Sequence, residues 1–253
     1  MQHYSNKKIV ILIPARYKST RCPGKPLVKI LGIPMVVRVA QIAERCLSKE
    51  NVFIATDDKT IAQTAKEYGF QYLMTSDTAL TGTDRLYEAA LQVEADIYIN
   101  IQGDEPAIEP IDVQKVVEAK IANPEYVVCG MTEIKSDEDP ENRNLPKVAF
   151  NQHKELIYMS RLAIPGTKKN KPRPKTFYKQ VCIYGFSFDQ LKAFYEFGKK
   201  GEIEFFEDIE ILRFFELGIP IKMVETFSPS LAVDEPADVA KVEAFLKSSK
   251  IAS

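Results

Sequence analysis

Arg16, Lys18, Arg21 and Lys25 crowd the stretch IPARYKSTRCPGKPL, which opens at the end of the apolar run IVILI. Pro14, Pro23, Gly24 and Pro26 stiffen the same stretch. Four cations in a rigid loop behind a buried strand match a polyanion. An arginine fork meets two phosphate oxygens at once, and a lysine ammonium adds a mobile point charge. A solvated structural turn draws on the same residue types, and composition alone leaves that alternative open. The spacing is neither GxxxxGK[ST] nor GxGxxG, which excludes a Walker-type loop and the dinucleotide fingerprint.

A second constellation is QGDEP, Gln102 to Pro106. Asp104 follows Gly103 at the end of the apolar stretch DIYINIQGD, so its carboxylate can reach a cleft at the strand end. Asp and Gly are also ordinary residues of a strand-ending turn. A triphosphate site calls for Mg²⁺, a hard cation held by one or two carboxylates together with phosphate oxygens, and Asp104 is placed for that role. AVDEPADV offers Asp234, which on position alone reads as a helix N-cap. The two histidines, His3 and His153, fall in the N-terminal tail and a polar turn, so a histidine-centred mechanism is not expected.

These residues need elements to hold them. KIVILIPA is a near-continuous apolar strand of the kind found in a parallel sheet covered on both faces. IPMVVRVAQIAERCL carries Met35, Val39, Ile42 and Cys46 at helical spacing, with Pro34 suited to the first turn. NVFIAT predicts the next strand, and KTIAQTAKEYG a helix closed by Gly69. TDRLYEAALQVE predicts a helix capped by Thr83 or Asp84, and DIYINIQGD and PIDVQKVVEAKIAN a strand and its following helix. This βαβ rhythm predicts an α/β, doubly wound sheet, whose ligands sit beyond the carboxyl ends of the strands. YVVCGMTEI, PKVAFN, ELIYMSR and KQVCIYGFSF read as further strands, and DQLKAFYEFG and FEDIEILRFFELG as helices. PIKMVE reads as a strand, and Pro236 opens a last helix. PGTKKNKPRPK, Pro165 to Lys175, reads as a loop, either mobile or simply a solvated basic stretch.

Composition removes several function classes. A chain of 253 residues suffices for one substantial core or a core domain with an appendage, and 45% hydrophobic and 27% charged residues are ordinary for a soluble globular enzyme. Its formal net charge of −1 argues against general nucleic-acid binding, so the cationic loop is a local feature. No apolar run nears the length of a membrane span, and MQHYSNKK lacks the apolar core of a signal peptide. Cys22, Cys46, Cys129 and Cys182 form no CxxC pair, which argues against zinc or a redox dithiol and suits a reducing, cytoplasmic setting.

IPARYKSTRCPGKPL, ATDD, TGTDR, NIQGDEP, YMSRLAIP, IYGF and VDEPADV occur here in that order, from about Ile9 to about Leu246. In this the chain resembles the 3-deoxy-manno-octulosonate cytidylyltransferase (CMP-Kdo synthetase) family. The PARYxSTRxPGKPL block joined to QGDEP is highly specific to that family, whereas other sugar nucleotidyltransferases share looser versions. The resemblance implies a Rossmann-like nucleotide-diphospho-sugar transferase fold with a mostly parallel central sheet. It implies one domain over 1–253, in which about 140–190 forms a smaller sugar-binding and dimerisation subdomain, and a homodimer. It implies Mg²⁺-dependent transfer of CMP from CTP to the anomeric hydroxyl of a keto-deoxy sugar acid, with pyrophosphate leaving. Metal ligation falls on Asp104 and Asp234, and phosphate binding on Arg16 and Lys25. Ala15, Ser19, Arg21, Thr83 and Gln102 fall among substrate contacts. Arg161, Gln180, Tyr184, Asp208 and Glu210 fall on the sugar side. With the metal bridging the α-phosphate and the sugar hydroxyl, no nucleophilic side chain is required.

The departures cluster on the sugar side. QVCIYGF puts Gln180 where the family usually has histidine in HLGIYGY. ALTGTDR puts Ala79, and FEDIE puts Asp208, where HxSGTER and LEHIE carry two more histidines. The nucleotide and metal residues are intact. Asp208 would suit an acceptor bearing an ammonium, such as 8-amino-3,8-dideoxy-manno-octulosonate, or be a solvated helix carboxylate. The sequence is compatible with a Kdo cytidylyltransferase, with the same reaction on an amino-substituted or other ulosonic acid, and with a non-catalytic nucleotide-binding module.

Overall fold

The computed structural model describes residues 7–18, 23–169, 171–227, 231–233 and 235–248. The first strand, β1 (Ile9–Ala15), is buried along its whole length. After it come the two-residue strands β2 (Lys29–Ile30) and β3 (Ile33–Pro34), then α1 (Met35–Glu44) and β4 (Val52–Thr56). α2 (Lys59–Glu67), β5 (Gln71–Met74), α3 (Gly82–Ala90), β6 (Ile97–Ile101) and α4 (Pro110–Ala122) follow. The second half holds β7 (Val127–Glu133), β8 (Lys147–Phe150), β9 (Leu156–Ser160) and β10 (Tyr178–Phe186). It ends with α5 (Phe188–Glu196), α6 (Glu202–Glu207), α7 (Leu212–Glu216), β11 (Ile221–Glu225) and α8 (Pro236–Ser248).

The central sheet runs β11-β7-β10-β6-β1-β4-β5, with β8 and β9 extending it from β10. All of these main-path pairings are parallel except those of β10, which is antiparallel to both β6 and β7. The chain winds from β1 outward through β4 and β5, then returns past β1 to form β6. The crevice beyond the carboxyl ends of β1 and β6 is therefore the switch point at which doubly wound sheets take their ligands. Both the cationic loop and QGDEP leave the sheet there.

The core explains why β1 reads as an unbroken apolar run. Ile9, Ile11 and Ile13 pack on one face, with residues of α1, α2 and α4. Val10 and Leu12 pack on the other, with residues of α3, α5 and α7. A period of two places alternate side chains on opposite faces, and here both faces are covered. A third cluster joins Ile30 and Met35 to Val233, Val242 and Leu246. It docks α8 on the hairpin after the cationic loop and so brings residues 231–233 to the site.

Several elements differ from the sequence reading. β5 was not foreseen, because it is an edge strand with three of its four residues exposed and no alternating apolar face. α3 is capped by Thr81, whose hydroxyl accepts from the Asp84 amide, rather than by Thr83 or Asp84. The helix expected over FEDIEILRFFELG is two short helices. Asp208 adopts a left-handed conformation (φ 49°) that ends α6, and α7 starts at Leu212. The basic stretch from Pro165 has no helix or strand among its described residues. No helix among the described residues is long and apolar enough to cross a membrane.

Candidate active site

Two glycines set the crevice. A Cβ on Gly103 would lie 2.7 Å from the Pro14 carbonyl oxygen, so only glycine lets the QGDEP turn close against the end of β1. Gly24 holds φ at 70°, and its amide donates to the Tyr17 carbonyl at 3.0 Å, folding the cationic loop back on itself. The chain then enters the single turn Lys25–Leu27 with Pro26 buried.

That turn aims Lys25 into the crevice. Its ammonium donates to Asp104 Oδ2 at 2.7 Å and to the Val233 carbonyl at 3.0 Å, and its side chain is only 16% exposed. The Val233 amide donates back to the Asp104 carbonyl at 3.0 Å, so three distant segments close on one another. Arg16 is exposed just past β1, where Ala15 is buried as the last strand residue. Lys18 is far more open, 83% exposed, and approaches Asp77 at 3.7 Å. Ser19, Arg21 and Asp234 lie outside the described residues.

The donor set around Lys25 fits a hard cation. A carboxylate oxygen and a main-chain carbonyl already surround an ammonium there, and Mg²⁺ takes oxygen ligands of this kind. Among the described residues no three His, Cys, Asp or Glu side chains form a metal cage. A Mg²⁺ site made from one or two carboxylates and substrate phosphates does not require one.

The far wall of the crevice is built around α3. Glu210 accepts from the Gly82 and Thr83 amides at 3.1 and 3.0 Å and from the Thr83 hydroxyl at 2.8 Å. Burial pushes its carboxyl above the ordinary range, against the lowering effect of those hydrogen bonds. Gln102 packs over Gly82, where a Cβ would come within 3.2 Å of the Gln102 amide nitrogen. Its own main-chain amide donates to the Cys182 carbonyl, fixing β6 to β10. On β10, the buried Gln180 donates to the Tyr184 hydroxyl at 2.9 Å across a register shift between Val181 and Tyr184. Burial holds that hydroxyl well above its usual pKa.

Thr83, Gln102 and Glu210 therefore share one wall, with Gln180 and Tyr184 paired on β10. Arg161 and Asp208 sit differently. The Arg161 guanidinium donates to main-chain oxygens of Glu207, Asp208 and Arg143, clamping the end of β9 to the end of α6. The Asp208 carboxylate is 68% exposed and is met by Lys200 at 3.3 Å and Arg161 at 3.8 Å. Of the two expectations for Asp208, this exposed and paired carboxylate resembles the solvated helix carboxylate. Its left-handed turn directs it to cations of the protein itself. Ala79 lies half-buried on the loop between β5 and α3.

A buried charge network behind this wall was missed in the sequence. Arg213, fully buried, meets Asp84 at 2.8 Å and Glu204 at 2.6 Å, and its guanidinium stacks 3.7 Å from the centre of the Phe194 ring. Arg85, the next residue of TGTDR, pairs with Asp57 of ATDD at 3.4 Å and donates to the Ser76 carbonyl. The first turn of α3, which presents Gly82 and Thr83 to Glu210, is thus held from two sides. The available signal was Arg213 itself, a lone charge inside the otherwise apolar run ILRFF.

The family model described as cytidylyltransferase matches residues 10–223. A 3-deoxy-manno-octulosonate cytidylyltransferase of Geobacter metallireducens is 38% identical, covering 93% of this chain and 96% of its own. An 8-amino-3,8-dideoxy-manno-octulosonate cytidylyltransferase of Shewanella putrefaciens is 34% identical, covering 95% and 99%. A solved CMP:2-keto-3-deoxy-manno-octonic acid synthetase in complex with CTP superposes with a TM-score of 0.84 at 36% identity, over 95% of this chain and 99% of that one.

Proposed function

This chain belongs to the 3-deoxy-manno-octulosonate cytidylyltransferase family, a family of CTP-using nucleotidyltransferases, and from that premise we propose that it transfers CMP from CTP to the anomeric hydroxyl of Kdo. The hydroxyl oxygen forms a bond to the α-phosphorus, the bond from that phosphorus to the bridging oxygen breaks, and pyrophosphate leaves. The hydroxyl proton passes to solvent. The observation that carries the reading is the closure of Lys25, Asp104 and Val233 on one point at the switch-point crevice.

Each residue then has a task. Arg16 and Lys25 offset charge developing on the departing pyrophosphate. Ala15, Ser19 and Arg21 belong to the same nucleotide loop. Asp104 and Asp234 would hold Mg²⁺, which when bound lowers the pKa of the sugar hydroxyl and neutralises phosphate charge. Gln102, Thr83, Glu210, Gln180 and Tyr184 line the acceptor half and hold the sugar in line with the α-phosphate. Arg161 and Asp208 shape that half through the β9–α6 clamp. The product is an activated sugar acid for surface polysaccharide or lipopolysaccharide.

Phe205 and Phe206 on α6 are 64% and 77% exposed, and β9, tied to α6 through Glu207, exposes Ile157. Apolar surface of this kind supports a homodimer formed through the 140–190 segment and α6. Sedimentation of wild type and of Phe206→Glu tests it, with a monomeric wild type opposing it. A cytoplasmic location accords with the free thiols of Cys46, Cys129 and Cys182.

The second reading keeps the chemistry and changes the acceptor to 8-amino-3,8-dideoxy-manno-octulosonate. Gln180 and Ala79 favour it, and so does the similarity to the Shewanella enzyme. Against it, an acceptor ammonium at Asp208 would compete with Lys200 and Arg161. Pyrophosphate release with CTP, Mg²⁺ and each acid in turn decides the matter. Release with Kdo at the higher kcat/KM supports the proposal. Preference for the amino analogue supports the second reading, and no release with any ulosonic acid overturns both.

A further inference from the structure

Lys25 does two things that conflict. In the family-based reading it serves the triphosphate, yet here its ammonium rests on the carboxylate assigned to the metal, 2.7 Å from Asp104 Oδ2. It is also held by the Val233 carbonyl, on the residue next to Asp234. The contact is well shielded, with Lys25 16% and Asp104 31% exposed. Backbone closure keeps it in place, because the Val233 amide binds the Asp104 carbonyl and Gly24 fixes the loop on Tyr17.

We propose that Lys25 is a resident cation of the Asp104 site, and that it makes divalent-metal binding conditional on nucleotide. The proposal rests on the reading of Asp104 as a metal ligand. A divalent ion on Asp104 would face the ammonium across a single carboxylate, and two positive centres at such range repel. The triphosphate changes the balance. It supplies anionic oxygens to which the lysine stem, flexible over four carbons, can swing. It also adds ligands that a Mg²⁺ ion with one or two protein carboxylates otherwise lacks. Nucleotide thus draws Lys25 off Asp104 and opens the metal position in one movement. The charge of Asp104 stays compensated throughout, first by the ammonium and then by the metal. The order of assembly follows: CTP arrives before, or together with, the metal that acts on the α-phosphate.

The test uses Mn²⁺ alone as the probe, with no CTP and no sugar, read by electron paramagnetic resonance of free Mn²⁺. Wild type should bind weakly. Lys25→Met should bind one Mn²⁺ about tenfold more tightly, the gain expected from removing one like charge near the site. Lys25→Met combined with Asp104→Asn should lose that gain, and Lys25→Arg, which keeps the charge, should behave as wild type. Equal affinity of wild type and Lys25→Met overturns the proposal, as does a gain that survives Asp104→Asn. A crystal of wild type soaked in Mn²⁺ alone gives a check that does not depend on the variants folding. Lys25 should remain on Asp104 without metal there, and Mn²⁺ on Asp104 beside an undisplaced Lys25 would overturn the idea. Failure here leaves pyrophosphate release intact, whereas failure of the acceptor assay leaves this metal titration unaffected.

Discussion

The two parts of the crevice, the one proposed for the nucleotide and the one proposed for the acceptor, are made by different means. The nucleotide half is backbone geometry. Gly103 lets one turn touch the end of β1, Gly24 folds another, and one ammonium bridges the result. The acceptor half is charge buried behind a wall. Arg213 with Asp84 and Glu204, and Arg85 with Asp57, hold the turn on which Glu210 rests. The first kind of construction constrains a few residues absolutely and leaves the rest open. The second spreads its constraint over partners far apart in the chain, and it can keep its shape while residues facing the acceptor change. Of the three departures named in the sequence, only Gln180 pairs with a residue of that wall's β10 neighbour, Tyr184, while Asp208 is exposed and Ala79 lies on the β5–α3 loop.

Substitutions in each half should therefore fail in different ways. The largest effect belongs to Asp104→Asn, which should cut pyrophosphate release by on the order of a thousandfold while circular dichroism stays that of wild type. Near-normal turnover would break the nucleotide half of the comparison. Arg213→Met should act on stability instead. It leaves Asp84 and Glu204 buried without their partner, at a cost of roughly 3–5 kcal/mol, read from denaturant unfolding. A loss below about 1 kcal/mol would mean that the buried network does not hold the wall.

Glu210 gives a smaller effect with a defined sign. Its carboxyl is raised in the folded protein, so the native state binds more protons than the unfolded state between the ordinary carboxylate pKa and the raised one. Its contribution is therefore greatest at low pH and is lost as pH rises through that window. Glu210→Gln should remove this part of the slope, and identical slopes in the two proteins would show that the carboxyl is not raised. The smallest effect is expected at Asp208. Because it is exposed and already paired, Asp208→His should move the Kdo to 8-amino-Kdo ratio of kcat/KM by less than about threefold, as for a solvated ion pair. A larger swing would return Asp208 to the acceptor site.

The same contrast decides what could be read from the chain. PGKPL and QGDEP announce themselves because left-handed and close-approach positions demand glycine, and a stiff cationic loop has few other uses. β1 was legible from its apolar run, since both faces are covered. The edge strand β5 was not, because exposed residues carry no core pattern. The helix drawn over Phe206–Gly218 concealed a break. Arg213 within it is paired with Asp84, 129 residues away, a contact no local pattern announces. Thr81 lost the cap to its neighbours in the sequence reading, because Asp84 has a second partner that only tertiary structure reveals.

The division of labour between the two halves is tested most directly by calorimetric titration of CTP into Lys25→Ala, Lys18→Ala and Glu210→Gln. Lys25→Ala loses a charge-assisted contact and should weaken CTP by about ten- to a hundredfold. Lys18, exposed on its loop, and Glu210, in the acceptor wall, should each change it by less than about twofold. Equal losses at Lys25 and Lys18 would reduce the loop to a diffuse positive patch, and a loss at Glu210 as large as that at Lys25 would contradict the separation of the two halves.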